Sequence, residues 1–141
     1  MTRIDFHTNV PDKLAYACRL ARKAYAAGNR IVLMTDDAAQ LAELDGMMWT
    51  FSATDFLPHV PAGDALASAT PIILADNDGA ALPHHDLLVN LSRRIPSVVD
   101  SFQRVIEVVS AEEDDAAAGR QRYVAYKRQN HPLTHFVANK S

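Results

Sequence analysis

Four residues at helical spacing near the end of the chain carry the clearest chemistry in the sequence. Ala116, Arg120, Tyr123 and Lys127 stand at i, i+4, i+7 and i+11, one face of a helix. Arg122 lies off that line, Tyr126 interleaves with the bases, and Arg128 extends the basic end. Residues 119–141 hold five Lys/Arg and no acid. An arginine grips a carboxylate through paired hydrogen bonds, and an aromatic wall beside it can seat an apolar residue. That combination suits an acidic peptide with a hydrophobic end. It also suits single-stranded nucleic acid, through stacking and phosphate contacts. Residues 1–118, however, carry nine Lys/Arg against seventeen Asp/Glu, a net of −8 that disfavours a polyanion. A plainer account stays open as well, because acids at a helix start (Glu112 to Asp115) and bases at its end are what the helix dipole favours.

The other chemically suggestive groups are weaker. His84-His85-Asp86 is the densest set of metal-ligand types, but adjacent histidines point in different directions and no second pair sits at zinc spacing. Cys18 falls on an apolar helix face, where it reads as a small buried hydrophobe. Asp36-Asp37 follows an apolar strand and could touch a ribose, although a helix cap explains it equally. The first strand-to-helix turn, His7 to Pro11, has no glycine, and neither G-x-G-x-x-G nor G-x-x-x-x-G-K-[ST] occurs. There is no G-x-S-x-G elbow. No catalytic residue, metal or cofactor is expected.

These groups need elements to hold them. A length of 141 residues suits one domain, 1–141, and 48% apolar residues are ordinary for a globular fold. One cysteine excludes an internal disulfide. No apolar run approaches a membrane span and the first residues lack a signal pattern, so a cytoplasmic protein is expected. Ile4-Asp5-Phe6 reads as a strand ended by His7-Thr8-Asn9. Leu14, Ala17, Cys18, Ala21 and Tyr25 trace an amphipathic helix stopped at Gly28 or Asn29. The continuous apolar run at 31–34 reads as a strand buried on both faces, and the largely apolar stretches at 71–75, 87–91 and 105–109 read as further strands. A helix capped by Thr35 or Asp36 carries Ala38, Leu41, Ala42 and Leu44 and breaks at Asp45-Gly46. A short helix starts at Pro96. Ser110 and Glu113 match a capping box for a last helix over 111–128. Strands alternating with helices predict a three-layer α/β domain: a doubly wound, mostly parallel, Rossmann-like sheet with helices on both faces.

One stretch does not fit that rhythm. Residues 44–63 hold the only tryptophan, Trp49, with Phe51, Phe56, two Met and two Pro. The segment reads as irregular, so its aromatics either cover a sheet edge or face a partner, and these are residue types enriched at interface centres.

The run LDGMMWTF, followed by SATDFLPH, resembles the chi subunit of the bacterial DNA polymerase III holoenzyme. ACRLARKAYAAGNRIVLMTDD, RVIEVV and RQRYVAYKRQNHPLTH resemble it too, in the same order and over nearly the whole chain. The resemblance implies a non-catalytic replication subunit that links the clamp loader to single-stranded DNA-binding protein. It would bind that protein's acidic tail, which ends in Pro-Phe, and so reach nucleic acid only indirectly. The family's R-x-R-Y-x-x-Y pattern falls on Arg120, Arg122, Tyr123 and Tyr126. Arg120 would take a tail carboxylate, and Tyr123 with Val109 would line the Phe pocket. Val124 and Ala116 stand where the family often has bases, which leaves Lys127 and Arg128 to compensate. A second surface, for the psi subunit or another clamp-loader component, falls on Trp49, Phe51, Phe56, Leu57 and Pro58. The alternative is a small α/β nucleotide-binding or hydrolytic enzyme, and a third reading is direct single-stranded DNA binding.

Overall fold

Helices leave the sheet in opposite directions on its two faces, and this winding fixes where every candidate residue lies. The computed structural model describes residues 2–50 and 57–138. In chain order the elements are β1 (Arg3–Val10), α1 (Lys13–Ala26), β2 (Ile31–Met34), α2 (Ala38–Thr50), β3 (His59–Pro61), β4 (Ile72–Ala75), β5 (Leu87–Asn90), β6 (Arg104–Ser110), α3 (Glu113–Arg128) and β7 (Leu133–Val137). The strands form one parallel sheet ordered β3-β4-β2-β5-β6-β1-β7. From β1 to β2 to β3 the chain moves toward one edge. From β6 to β7 it moves toward the other. Right-handed crossovers then require α1 and α2 on one face and α3 on the opposite face.

Burial follows that division. In β2, Ile31 and Leu33 join the core under α1 and α2, while Val32 and Met34 join the core under α3. The same alternation runs through Ile72 to Ala75 and Leu87 to Val89. Strands covered on both sides need no polar face, which is why their sequences are continuous apolar runs. Among the described residues no helix is long and apolar enough to cross a membrane.

Several local expectations change. β1 runs on through His7-Thr8-Asn9 to Val10, with a register shift against β6 between His7 and Val10. Asn9 takes a left-handed φ of 59° there, a conformation Asn tolerates. α2 does not break at Asp45-Gly46. Leu44 and Met48, one turn apart, are both buried, and that burial outweighs the ~1 kcal/mol that a mid-helix glycine costs. Trp49 is therefore helical. The α2 start is capped by Asp37, whose Oδ1 accepts the Gln40 N–H at 2.8 Å. The region after Pro96 forms only a 3-10 turn at Val99–Ser101. At α3 the reciprocal carboxylate is Asp115 rather than Glu113: its Oδ2 accepts the Ser110 N–H at 2.7 Å. Strands β3 and β7 had no sequence signal. β3 is three residues ending in proline, and β7 is an edge strand of mostly exposed residues.

Two buried carboxylates tie the sheet to its helices. Asp115 also accepts from Lys13 Nζ at 3.1 Å and Arg93 Nε at 3.2 Å. Asp5 accepts from Arg104 at 2.7 Å, Arg3 at 3.1 Å, and the Thr134 hydroxyl. Burial alone would raise both carboxyls. For Asp115 the Ser110 N–H and Lys13 outweigh it, and for Asp5 the Thr134 hydroxyl and Arg104 do so; both end below the usual range. A lowered folded pKa gives stability that is present above the unfolded value of about 4 and lost as pH falls through the folded one. His84 and His7 act on the same side, since burial lowers both and protonation below about pH 6.5 favours the unfolded chain. The urea midpoint should therefore decline gently below about pH 6.5 and steeply below about pH 4. Asp115→Asn should flatten the steep part, and an unchanged profile in that variant would refute the assignment.

Candidate functional site

α3 packs against β6 with no room for a side chain at residue 119. A Cβ built on Gly119 would sit 2.8 Å from both methyl groups of Val109. This close approach, with the bend at the end of β1, leaves an open pocket of about 550 Å³. Phe6 and Val109, both nearly fully buried, line its base. Tyr123 stands edge-on to Phe6, with ring centroids 5.2 Å apart and planes at 67°. Ala116 and Val124 add apolar wall, and Thr8, Asn9, Ser110 and His135 supply polar atoms. Arg120 is exposed and lines the same pocket. The site is thus an apolar recess with a guanidinium beside it, at the carboxyl ends of β1 and β6.

Beneath this pocket lies a separate charged centre. Glu107 is fully buried on the α3 face of β6. It accepts from Arg122 Nε at 3.0 Å, from Tyr126 Oη at 2.5 Å, and from Asn90 Nδ2 at 2.9 and 3.1 Å. Burial pushes its carboxyl up, against the opposing pull of Arg122 first and then of Tyr126 and Asn90. Arg122 also donates through Nη1 to the Arg93 carbonyl at 3.1 Å.

The sequence candidates therefore separate. Val109, Arg120 and Tyr123 meet in the pocket, with Ala116 and Val124 between them. Arg122 and Tyr126 do not line it; both are buried with their polar ends on Glu107. Helical spacing already set Arg122 off the exposed line. Lys127 and Arg128 are exposed in the last turn of α3, outside the pocket lining. Phe6, Thr8, Asn9, Gly119 and His135 were missed. A glycine inside a helical pattern was a usable signal of close approach. The others depend on strand order, which puts the first and last strands side by side.

Gly119→Ala should report on this geometry. A better helix former gains up to ~1 kcal/mol, while crowding Val109 costs ~1–3 kcal/mol. We expect a net loss in urea denaturation, relieved when Val109→Ala is added. Simple additivity of the two substitutions would refute the packing argument.

At the opposite side of the sheet, Trp49 is 58% exposed at the end of α2. Its ring lies 4.7 Å from that of His59, centroid to centroid. His59 is buried, with Nδ1 2.6 Å from the Leu57 carbonyl and Nε2 3.1 Å from Asp45 Oδ1. Pro58 is half-buried, and Leu57 is a core residue on the α1–α2 face rather than a surface one. Phe51 and Phe56 lie outside the described residues.

A second crevice at a reversal of strand order, beyond β2, β4 and β5, is occupied by side chains of the protein. Arg94 Nη2 donates to the Thr35 and Asp76 carbonyls at 3.4 and 3.1 Å. Asp36 Oδ1 accepts the Arg93 N–H at 2.9 Å. Among the described residues no three His, Cys, Asp or Glu side chains are grouped to hold a metal. Burial pushes the Cys18 thiol up to about 11, as suits a core residue.

The model of one family, described as DNA polymerase III chi subunit, HolC, matches residues 1–134. The chain belongs to this chi family. Its relatives include DNA polymerase III subunit chi of Pseudomonas aeruginosa, 37% identical over 138 residues and 94% of each chain. The chi subunit of Haemophilus influenzae is 30% identical over 84% of this chain and 82% of its own. That of Escherichia coli is 26% identical over 78% and 75%. Chi membership makes the protein an accessory subunit of DNA polymerase III in replication, with partners in that complex.

Proposed function

We propose that this chi chain links the clamp loader to single-stranded DNA-binding protein by holding the acidic, Pro-Phe-ending tail of that protein in the pocket beside α3. The observation that carries the reading is the pairing of an apolar recess of about 550 Å³ with the exposed guanidinium of Arg120. A terminal Phe would enter between Tyr123, Phe6 and Val109, while Arg120 takes a carboxylate of the tail. Lys127 and Arg128, about two turns beyond Arg120 along α3, attract the acids upstream through longer-range charge. Ala116 and Val124 make the walls more apolar, so the grip rests on fewer cations and more on the Phe. We further infer that Trp49 and Pro58, with Phe51 and Phe56, contribute to docking psi or another clamp-loader component.

The test is a titration with a labelled peptide ending in Asp-Ile-Pro-Phe beside the same peptide lacking its Phe. Micromolar binding that needs the Phe supports the reading. Equal, negligible binding of both peptides would overturn it.

A further inference from the structure

The chain's acidic charge is not spread evenly around the molecule. Residues 1–34 hold six Lys/Arg and two acids, whereas residues 35–118 hold three and fifteen. The sheet order then sets β1 beside β7 at one edge and β3 beside β4 at the other. At that first edge Arg3 lies on β1 and Arg19 and Lys23 on α1, whereas Arg30 pairs with Asp86, Arg120 lines the pocket on the other face and Arg122 is buried on Glu107. The segment around β1 and α1 thus carries a local excess of base, which weakens the objection that an acidic body repels nucleic acid.

On the α1 face of β1 and β7, opposite the tail pocket, aromatic and cationic groups converge. The His7 ring contacts Tyr16 and Phe136, with centroids 5.7 and 5.3 Å away. Phe136 is 54% exposed. Arg19 Cζ stands 5.6 Å from the Tyr16 ring centre. Tyr16, Arg19 and Lys23 follow one another at i, i+3 and i+7 of α1. Arg3 and Arg104 share the single carboxylate of Asp5, which leaves positive charge uncompensated. Burial lowers the His7 pKa first, and Arg104 and Lys23 push it the same way, against Asp5. Both cations thus act on the aromatic cluster.

We propose that this surface binds a single-stranded polynucleotide directly, with a base stacked on Phe136 and phosphates on Arg3, Arg19, Lys23 and Arg104. Aromatic platforms ringed by bases are the sequence-tolerant way to hold such a strand. The proposal does not depend on the tail pocket, which opens on the other face of the sheet. It gives the subunit a contact with the strand itself.

The experiment is fluorescence anisotropy of labelled oligothymidylate and oligouridylate with the intact protein over a range of salt. Three or four phosphate contacts predict a log–log salt slope of roughly −2 to −3. Phe136→Ala should weaken binding roughly 5- to 100-fold, with an unchanged thermal melt. Arg19→Ala should weaken it and flatten the salt slope. Arg30→Ala, which removes a cation paired with Asp86 away from the patch, should weaken it less. Equal binding of both oligonucleotides supports the shared single-strand chemistry, and preference for one identifies DNA or RNA as its source. Failure of both to bind at low salt would overturn the proposal, as would full affinity in Phe136→Ala. Equal losses in Arg19→Ala and Arg30→Ala would do the same. Competition by polyglutamate as strong as by oligonucleotide would assign the surface to an acidic protein instead.

Discussion

Arg122→Ala is expected to lower folding stability by about 3–5 kcal/mol. The guanidinium is nearly as buried as the carboxylate that it neutralises, and the remaining donors to Glu107, Asn90 and Tyr126, are uncharged. Removing it leaves a carboxylate in the core with no counter-charge. The variant's loss should depend on pH in a direction opposite to that of Asp5 and Asp115, whose carboxyls are lowered. Burial already raises Glu107, and without Arg122 it rises further. A raised folded pKa gives stability that is present below the unfolded value of about 4.3 and lost as pH rises through the folded one. Arg122→Ala should therefore be least damaged in mild acid. Replacing both partners, Glu107→Leu with Arg122→Met, should recover much of the loss, because well-packed apolar groups substitute for a buried pair. Urea midpoints across pH measure all three outcomes. An Arg122→Ala midpoint within error of wild type, together with lost peptide binding, would return this arginine to the binding site.

Arg120→Ala should behave in the opposite way. Its side chain is exposed, so stability should stay within about 0.5 kcal/mol of wild type. Affinity for a peptide ending in Pro-Phe should fall by roughly 10- to 100-fold, the loss of a hydrogen bond to a charged group. Arg120→Lys should restore only part of it, since an ammonium cannot match the two-pronged geometry. Lys127→Ala should cost less, and its effect should vanish in high salt because an exposed charge acts at a distance. The measurement is a peptide titration with thermal melts on the same samples. Undiminished affinity in Arg120→Ala would remove the central contact of the proposed site. The two arginines stand two residues apart in sequence, and only the helix phase separates their roles.

That separation also shows what the sequence made legible. The largely apolar stretches at 31–34, 71–75, 87–91 and 105–109 announced the inner strands because burial on both faces disfavours polar residues, Asn90 and Glu107 being the two exceptions that bond each other. Helix α1 was readable from its stripe, and Gly28, with φ of 83°, ends it. The parallel, doubly wound sheet followed. β7 carried no comparable signal, since Thr134 to Val137 face solvent and its pairing with β1 is a property of strand order. The pocket was half legible. Arg120, Tyr123 and Val109 came from local spacing and family resemblance, whereas Phe6 and His135 lie more than a hundred residues apart and meet only through that pairing. Arg122 and Tyr126, grouped with the pocket residues by the family pattern, turn inward to Glu107 instead, and Glu107 inside RVIEVV gave no warning that it was their partner.

β1 lies between β6 and β7, the last two strands to be made. A nascent chain therefore exposes its first strand, with Ile4 and Phe6, until β6 has emerged some hundred residues later. At typical elongation rates of about 5–20 residues per second, that delay is on the order of 5–20 s. The half built from β2, β3, β4 and β5 closes earlier on its own neighbours. The edge that carries both proposed binding faces is thus the last to assemble on the ribosome. It is also where a truncated or slowly translated message would leave the fold open.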